Sequence, residues 1–465
     1  MESVAQLLED FRDGKSTPID ATRDVLTRID ELNGKVNAFR TIDADAALAA
    51  AAASAGRWEK GEPCGLLDGI PISVKDTLMV EGFAFRQGSL VTSDEPAVES
   101  APIVRAAREE GAIVVGITTC PEFGSSVLTV SPLTGTTFNP HDLSKHSGGS
   151  SGGAAAGVAA GMVPLALASD AAGSIRIPSS FCGVIGFKPS GGLIPAYPRN
   201  VVGPLSSAGF ITRSVRDAFL GLAVAVRPDD RDVEAVPVYD QSGDAALESG
   251  IRSLRIAYSP ALGYVTGMDP EVAQLVAKAV ESLAQLGATV EEADPGFTDP
   301  EDVIVAYVSM GYGHMMRRLT PDQLRLLTPS LRETVAAGQR LTAMEFMAAQ
   351  DRRIELARQM ATFHETYDLL ITPTLPITTF DAEAVRPPSF PADASPRAWT
   401  RFVYPFNLTQ QPAISLPCGM TSQGLPLGLQ IVGPRRGDAV VLRCARAFEA
   451  AHGPLATEPA STSLS

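Results

Sequence analysis

Gly148-Gly149-Ser150-Ser151-Gly152-Gly153 and, a short way downstream, Asp170-Ala171-Ala172-Gly173-Ser174-Ile175-Arg176-Ile177-Pro178 each set a serine in a tight, glycine-containing backbone. Glycine has no Cβ, so such backbones reach positive φ and let peptide N–H groups approach a small bound group. Between the serines, Ala154 to Ala160 reads as a short helix of small residues that Gly161 ends. Met162 to Ala168 then reads as a buried apolar strand. The first serine therefore precedes a helix N-terminus, which favours negative charge. The strand delivers Ser174 on a turn beside it.

Three other readings compete for these residues. By composition alone, GGSSGG is a flexible Gly/Ser linker. It also contains G-x-S-x-G, the pattern of the α/β-hydrolase nucleophile elbow, but that elbow follows a strand and Asn139 to His146 does not read as one. The apolar run from Ala154 to Ala168 is shorter than the roughly 20 residues that a membrane span needs, and it contains Pro164.

The two serine segments continue into Phe181-Cys182-Gly183-Val184-Ile185-Gly186-Phe187-Lys188-Pro189, and they are preceded by Gly69-Ile70-Pro71-Ile72-Ser73-Val74-Lys75-Asp76. Together, in this order and at these separations, they resemble the signature of the amidase signature family. Further matches are Pro121-Glu122-Phe123-Gly124-Ser125, Asn407 to Pro417 and Gly424 to Gly433, so the resemblance spans nearly the whole chain. It implies an α/β fold: a large mixed central β-sheet covered by helices on both faces. One domain is expected over 1–465, with N-terminal helices in about 1–60, the signature core in about 65–215 and a variable helical insertion in about 300–366.

The resemblance also implies the chemistry. Ser174 would be the nucleophile, Ser150 a bridging serine joined to Gly149 by a cis peptide, and neutral Lys75 the ultimate base. Backbone N–H groups from Ala171, Ala172 and Gly173 to Ser174 would form an oxyanion hole. The reaction is hydrolysis of a small-molecule amide, extending to esters or hydrazides, with no metal and no cofactor. The alternatives are the glutaminase component of a tRNA-dependent amidotransferase, an amidase specialised for a ureido compound, or a non-catalytic interaction protein of the same fold. Ile177, and Gly191 to Pro195, depart from the amidotransferase pattern, and three intact catalytic positions count against the non-catalytic reading.

Residue chemistry agrees with that assignment. Ile70 to Val74 reads as a strand ending at Lys75, and burial in apolar company disfavours an ammonium and so frees a neutral amine. None of His141, His146, His314, His364 and His452 sits in a motif, so they are assigned surface or structural roles. Two departures from the family matter. Thr119 stands where Asn is expected before Pro121-Glu122, which suggests an altered polar contact near the substrate. Ala171-Ala172 replaces a more usual pair, which predicts negative φ at Ala172 and leaves any unusual conformation to Gly173.

The 465 residues suffice for a sizeable core, and 45% hydrophobic with 20% charged residues is ordinary for a globular enzyme. A formal charge of −15 argues against nucleic acid as a partner, since that affinity rests on cations neutralising phosphates. Cys64, Cys120, Cys182, Cys418 and Cys444 are scattered and odd in number, which fits a reducing compartment without structural zinc. The N-terminus lacks a basic region followed by an apolar one, so the expected location is cytoplasmic, without membrane contact. A homodimer is the candidate assembly.

The remaining chain reads as α/β alternation. Helices are expected from Pro18 to Asn33-Gly34, Asp43 to Arg57, Pro102 to Gly111, Val215 to Val226 and Pro270 to Gly287. Strands are expected at Ala112 to Ile117, Leu254 to Tyr258, Ala288 to Glu292 and Tyr367 to Thr372, with a polar connector over 227–244. Residues 301–366 read as helices that either cover the sheet or shape the pocket.

Overall fold

The computed structural model describes residues 2–237, 244–457, 459 and 464. The end of the expected polar connector, 238–243, lies outside the described residues.

Eleven strands form one mixed sheet. In chain order they are β1 (Phe39–Ile42), β2 (Pro71–Lys75), β3 (Ile113–Thr118), β4 (Leu165–Asp170), β5 (Ile185–Lys188), β6 (Ser207–Thr212), β7 (Arg255–Tyr258), β8 (Thr289–Glu292), β9 (Leu369–Pro373), β10 (Ala413–Met420) and β11 (Pro426–Val432). Across the sheet they run β1-β3-β2-β4-β6-β5-β10-β11-β9-β7-β8. The β3-β2-β4 and β9-β7-β8 neighbours are parallel, and the strands between them are antiparallel.

Alternation along the strands explains the layers, because successive side chains point to opposite faces. On β4, Leu165 and Leu167 join one core cluster with helices Pro102–Glu109, Val215–Ala225 and Asp438–His452, while Ala166 and Ala168 join another with Pro18–Val36 and Gly152–Ala159. On β9, Leu369 and Ile371 stay in the first cluster, while Leu370 faces a third built by the helices of 301–363. Helices therefore cover both faces, and those of 301–363 cover one of them. Among the described residues no helix is long and apolar enough to cross a membrane.

Most expected elements form at or within a few residues of the predicted positions, but Asn139 to His146, read as no strand, contains the strand Asp142–His146, which pairs with Phe138–Asn139 outside the main sheet. Thr17 and Asp20 close a capping box at the start of Pro18–Val36. That helix does not stop at Asn33-Gly34. It runs to Val36 because Leu32 and Val36 are buried and extend its apolar face, and Asn37 in the left-handed region (φ 55°) ends it. Asn33 instead organises the exit, its Oδ1 accepting the N–H groups of Ala38 (2.9 Å) and Phe39 (2.8 Å).

Candidate active site

Strand β2 runs parallel to β4 and carries Lys75 at its end, fully buried, beside the end of β4. Lys75 Nζ has three polar neighbours: Ser150 Oγ at 2.7 Å, Ser169 Oγ at 3.2 Å and the Ser169 carbonyl at 3.3 Å. Burial pulls the amine from its ordinary 10.5 down to about 8, with Asp170 drawing weakly the other way. The nearby Cys120 thiol is itself pushed up by burial, so it adds no negative charge at neutral pH. An amine without its third proton can donate to both Ser169 oxygens and accept the Ser150 hydroxyl proton.

Glycine holds Ser150 in place, and the GGSSGG segment is no linker, since all six residues are buried. Gly148 has φ +78°, and the Gly149–Ser150 peptide is cis, as expected. A Cβ on Gly152 or Gly153 would come within 2.3 Å of the hydroxyl of Thr129 or Thr119. Helix Gly152–Ala159 follows, made of residues small enough to lie against β4. Ser151 ties the two serine segments together: its N–H donates to the Ser174 carbonyl (3.1 Å) and its Oγ to the Ser169 carbonyl (3.2 Å).

The turn that carries Ser174 is built on a charge pair to which the sequence alone assigns no role. Asp170 and Arg176 are both fully buried and paired at 3.0 Å through two nitrogens. Burial alone would raise the Asp170 carboxyl, but Arg176, Lys188 and Asn407 together hold it well below the usual carboxylate range. Arg176 also donates to the Val403 carbonyl, Gln430 Oε1 and Asn407 Oδ1. The Asp170 oxygens accept the N–H groups of Gly173 (2.7 Å) and Ile175 (3.1 Å), which folds the turn around the carboxylate.

The backbone of this turn departs in one respect from expectation. Ala172 is not among the residues with positive φ, and Gly173 takes φ +105°, both as anticipated. The N–H of Gly173, expected to face an oxyanion, is instead committed to Asp170. Among the described residues no protein acceptor meets the N–H groups of Ala171, Ala172 or Ser174. Ser174 Oγ likewise makes no hydrogen bond within the described protein, and Ser174 is 8% exposed.

Lys75, Ser150, Ser169 and Ser174 border one narrow inner pocket. Ala171 and Ala172 line it as well, and its far wall comes from Val308, Tyr312 and Arg397. An outer chamber of about 570 Å³ shares Phe123, Asn200 and Val201 with the inner pocket and is faced by Tyr307, Met310, Met315 and Phe346. The helices of 301–363 thus serve as both cover and pocket wall. Phe123 sits at the junction in the left-handed region (φ 52°), its carbonyl accepting the Tyr312 hydroxyl at 2.9 Å.

Thr119 does not touch this space. Its hydroxyl bonds the Asn37 and Ala38 carbonyls and Thr137 Oγ1, so the expected altered contact near substrate is a structural one beneath the Gly153 turn. No histidine borders the inner pocket; His314 lines the outer chamber, while His141, His146, His364 and His452 bond backbone carbonyls. Ser169, Tyr312 and Arg397 were not singled out from the sequence. Ser169 was detectable as the first polar residue of an otherwise Leu/Ala strand, whereas Tyr312 and Arg397 sit in segments with no motif.

The chain matches known proteins over nearly its whole length. The sequence profile described as Amidase covers residues 20–442. The chain belongs to the amidase signature family. It is 34% identical over 461 residues to an acylamidase of Rhodococcus erythropolis, covering 96% of this chain and 95% of that protein. It is 32% identical to a glutamyl-tRNA(Gln) amidotransferase component from Myxococcus xanthus, with 97% of each chain covered. A bacterial aryl acylamidase of the same family superposes with a TM-score of 0.90 at 29% identity, covering 100% of this chain and 97% of the other. For 6-aminohexanoate cyclic dimer hydrolase complexed with substrate the values are 0.89, 28%, 100% and 99%. The chain is therefore a hydrolase of carbon–nitrogen amide bonds.

Proposed function

We propose that this amidase cleaves a small-molecule amide through Ser174, with Ser150 relaying protons to and from Lys75. The observation that carries the reading is Lys75 Nζ at 2.7 Å from Ser150 Oγ, fully buried and drawn down to about 8, in a pocket that Ser174 also borders. A serine hydroxyl is a weak nucleophile without a positioned base, and no histidine is at hand. Ser174 Oγ attacks the carbonyl carbon as its proton passes to Ser150 and that of Ser150 to the amine. Catalytic hydrogen bonds often close only with substrate in place, so the open Ser174 hydroxyl is compatible with this relay.

The developing oxyanion is received by the N–H groups of Ala171, Ala172 and Ser174, which lack protein acceptors among the described residues. Gly173 contributes its conformation and not its N–H. Losing one such donor typically costs about 3–4 kcal/mol of transition-state stabilisation. The leaving nitrogen then takes a proton back through Ser150, the C–N bond breaks, and water hydrolyses the acyl-enzyme by the same relay.

The substrate we propose carries a bulky apolar group, because the pocket opens into a chamber walled by aromatic and methionine side chains. The test is hydrolysis by the purified chain, alone, of aliphatic, aryl and ureido amides alongside glutamine. Aryl or long-chain amides turned over without a partner support this reading. Glutaminase activity alone, appearing only with partner proteins, would replace it with the amidotransferase one.

A further inference from the structure

We propose that Arg397 binds substrate, selecting amides that carry a carboxylate away from the scissile bond. This rests on the amidase reading of the pocket and adds a substrate class to it. Among the described residues two cationic side chains border the inner pocket, Lys75 and Arg397, and no Asp or Glu does. The Lys75 nitrogen has all three of its polar neighbours among protein groups, so it has no donor left for a ligand anion.

Arg397 is different. Among the described residues its guanidinium has no ion pair and no hydrogen bond, whereas the neighbouring arginines are committed. Arg176 is spent on the Asp170 turn, Arg401 pairs with Asp299 (2.8 Å) and Glu301 (3.3 Å), and Arg353 bonds the Leu408 carbonyl (2.8 Å). Glu301, whose charge Arg397 feels, is already engaged by Arg401 and by the Ser395 hydroxyl. The Arg397 backbone is nonetheless fixed. Its N–H donates to Ser395 Oγ (3.1 Å), and its carbonyl accepts the Thr400 N–H (2.8 Å) and hydroxyl (3.0 Å).

A half-buried cation held on a stiff turn, while the carboxylate it feels, Glu301, is already paired elsewhere, is left to pair with a ligand anion. A guanidinium offers planar paired donors that match a carboxylate in bidentate fashion. The chain as a whole carries −15, so only local charge draws an anion into this pocket. Tyr312 and Val308 beside Arg397 leave a mixed wall, with one polar anchor among apolar contacts.

The test uses half-anilides of dicarboxylic acids, succinanilate and glutaranilate, against their uncharged carboxamide analogues, with aniline release as the readout. Arg397→Met should lower the charged-to-neutral ratio of kcat/KM at least about tenfold, mainly through KM, and Arg397→Lys should recover part of it. An unchanged ratio overturns the proposal. Calorimetric binding of the two half-anilides to Ser174→Ala protein, with and without Arg397→Met, separates this inference from the catalytic one. Binding about tenfold weaker in the double variant supports it even if no anilide is hydrolysed. Equal binding, or none to Ser174→Ala protein, overturns it.

Discussion

A lysine amine with three polar neighbours and no solvent can keep its proton or yield it, and the balance sets the pH dependence of the enzyme. With Lys75 near 8, log kcat/KM should climb with unit slope below that pH and level above it. A flat profile from pH 6 to 9 would contradict a neutral-amine base. The same shift acts on stability. The folded value lies below the ordinary 10.5, so between pH 8 and 10.5 the unfolded chain binds the additional proton, and stability rises with pH across that window by about 3 kcal/mol. Lys75→Met should abolish turnover, remove that slope and unfold no more readily than the parent at pH 7, as denaturant titrations at several pH values would show. At this scale the sequence was informative about which residues come together, because Lys75, Ser150 and Ser174 sit in motifs and the structure sets all three on one pocket. The commitment of the Gly173 N–H to Asp170 was not legible, since nothing in Ala171-Ala172-Gly173 says where a peptide N–H points.

At the level of elements, the end of β4 and the helix Arg176–Cys182 form one device. Asp170 and Arg176 face each other six positions apart across the Ser174 turn, and Asn407 and Gln430 from the closing part of the chain complete the shell. Arg176→Met leaves a buried carboxylate without its cation, so it should cost about 3–5 kcal/mol of stability, measured by chemical denaturation. The Asp170→Asn/Arg176→Met pair should lose less than the sum of the single changes, because the uncompensated charge is gone. Additive losses would mean that the two side chains act independently. Strands and helices here were legible from alternation and capping, as at Thr17-Pro18 and Asp269-Pro270. The helix end at Asn33-Gly34 was misread because burial of Val36 outweighed a local stop signal.

Across the whole molecule, one sheet brings Lys75 from near the start of the chain beside Ser169 of β4, and the helices of 301–363 close the space above them. Which residues of 301–363 meet the pocket was hidden in the sequence, since Met, Tyr and Phe at helical spacing read equally well as core. Met310→Trp should fill part of the outer chamber and lower kcat/KM for anilides at least about fivefold more than for acetamide. An equal loss on both would make the chamber irrelevant to substrate choice. The measurement that bears most directly on catalysis is the site of acylation. After incubation with a fluorophosphonate, peptide mass spectrometry should place a single adduct on Ser174, in the parent and not in Ser174→Ala. An adduct on Ser150 or Ser151 instead would contradict the assignment of nucleophile and relay.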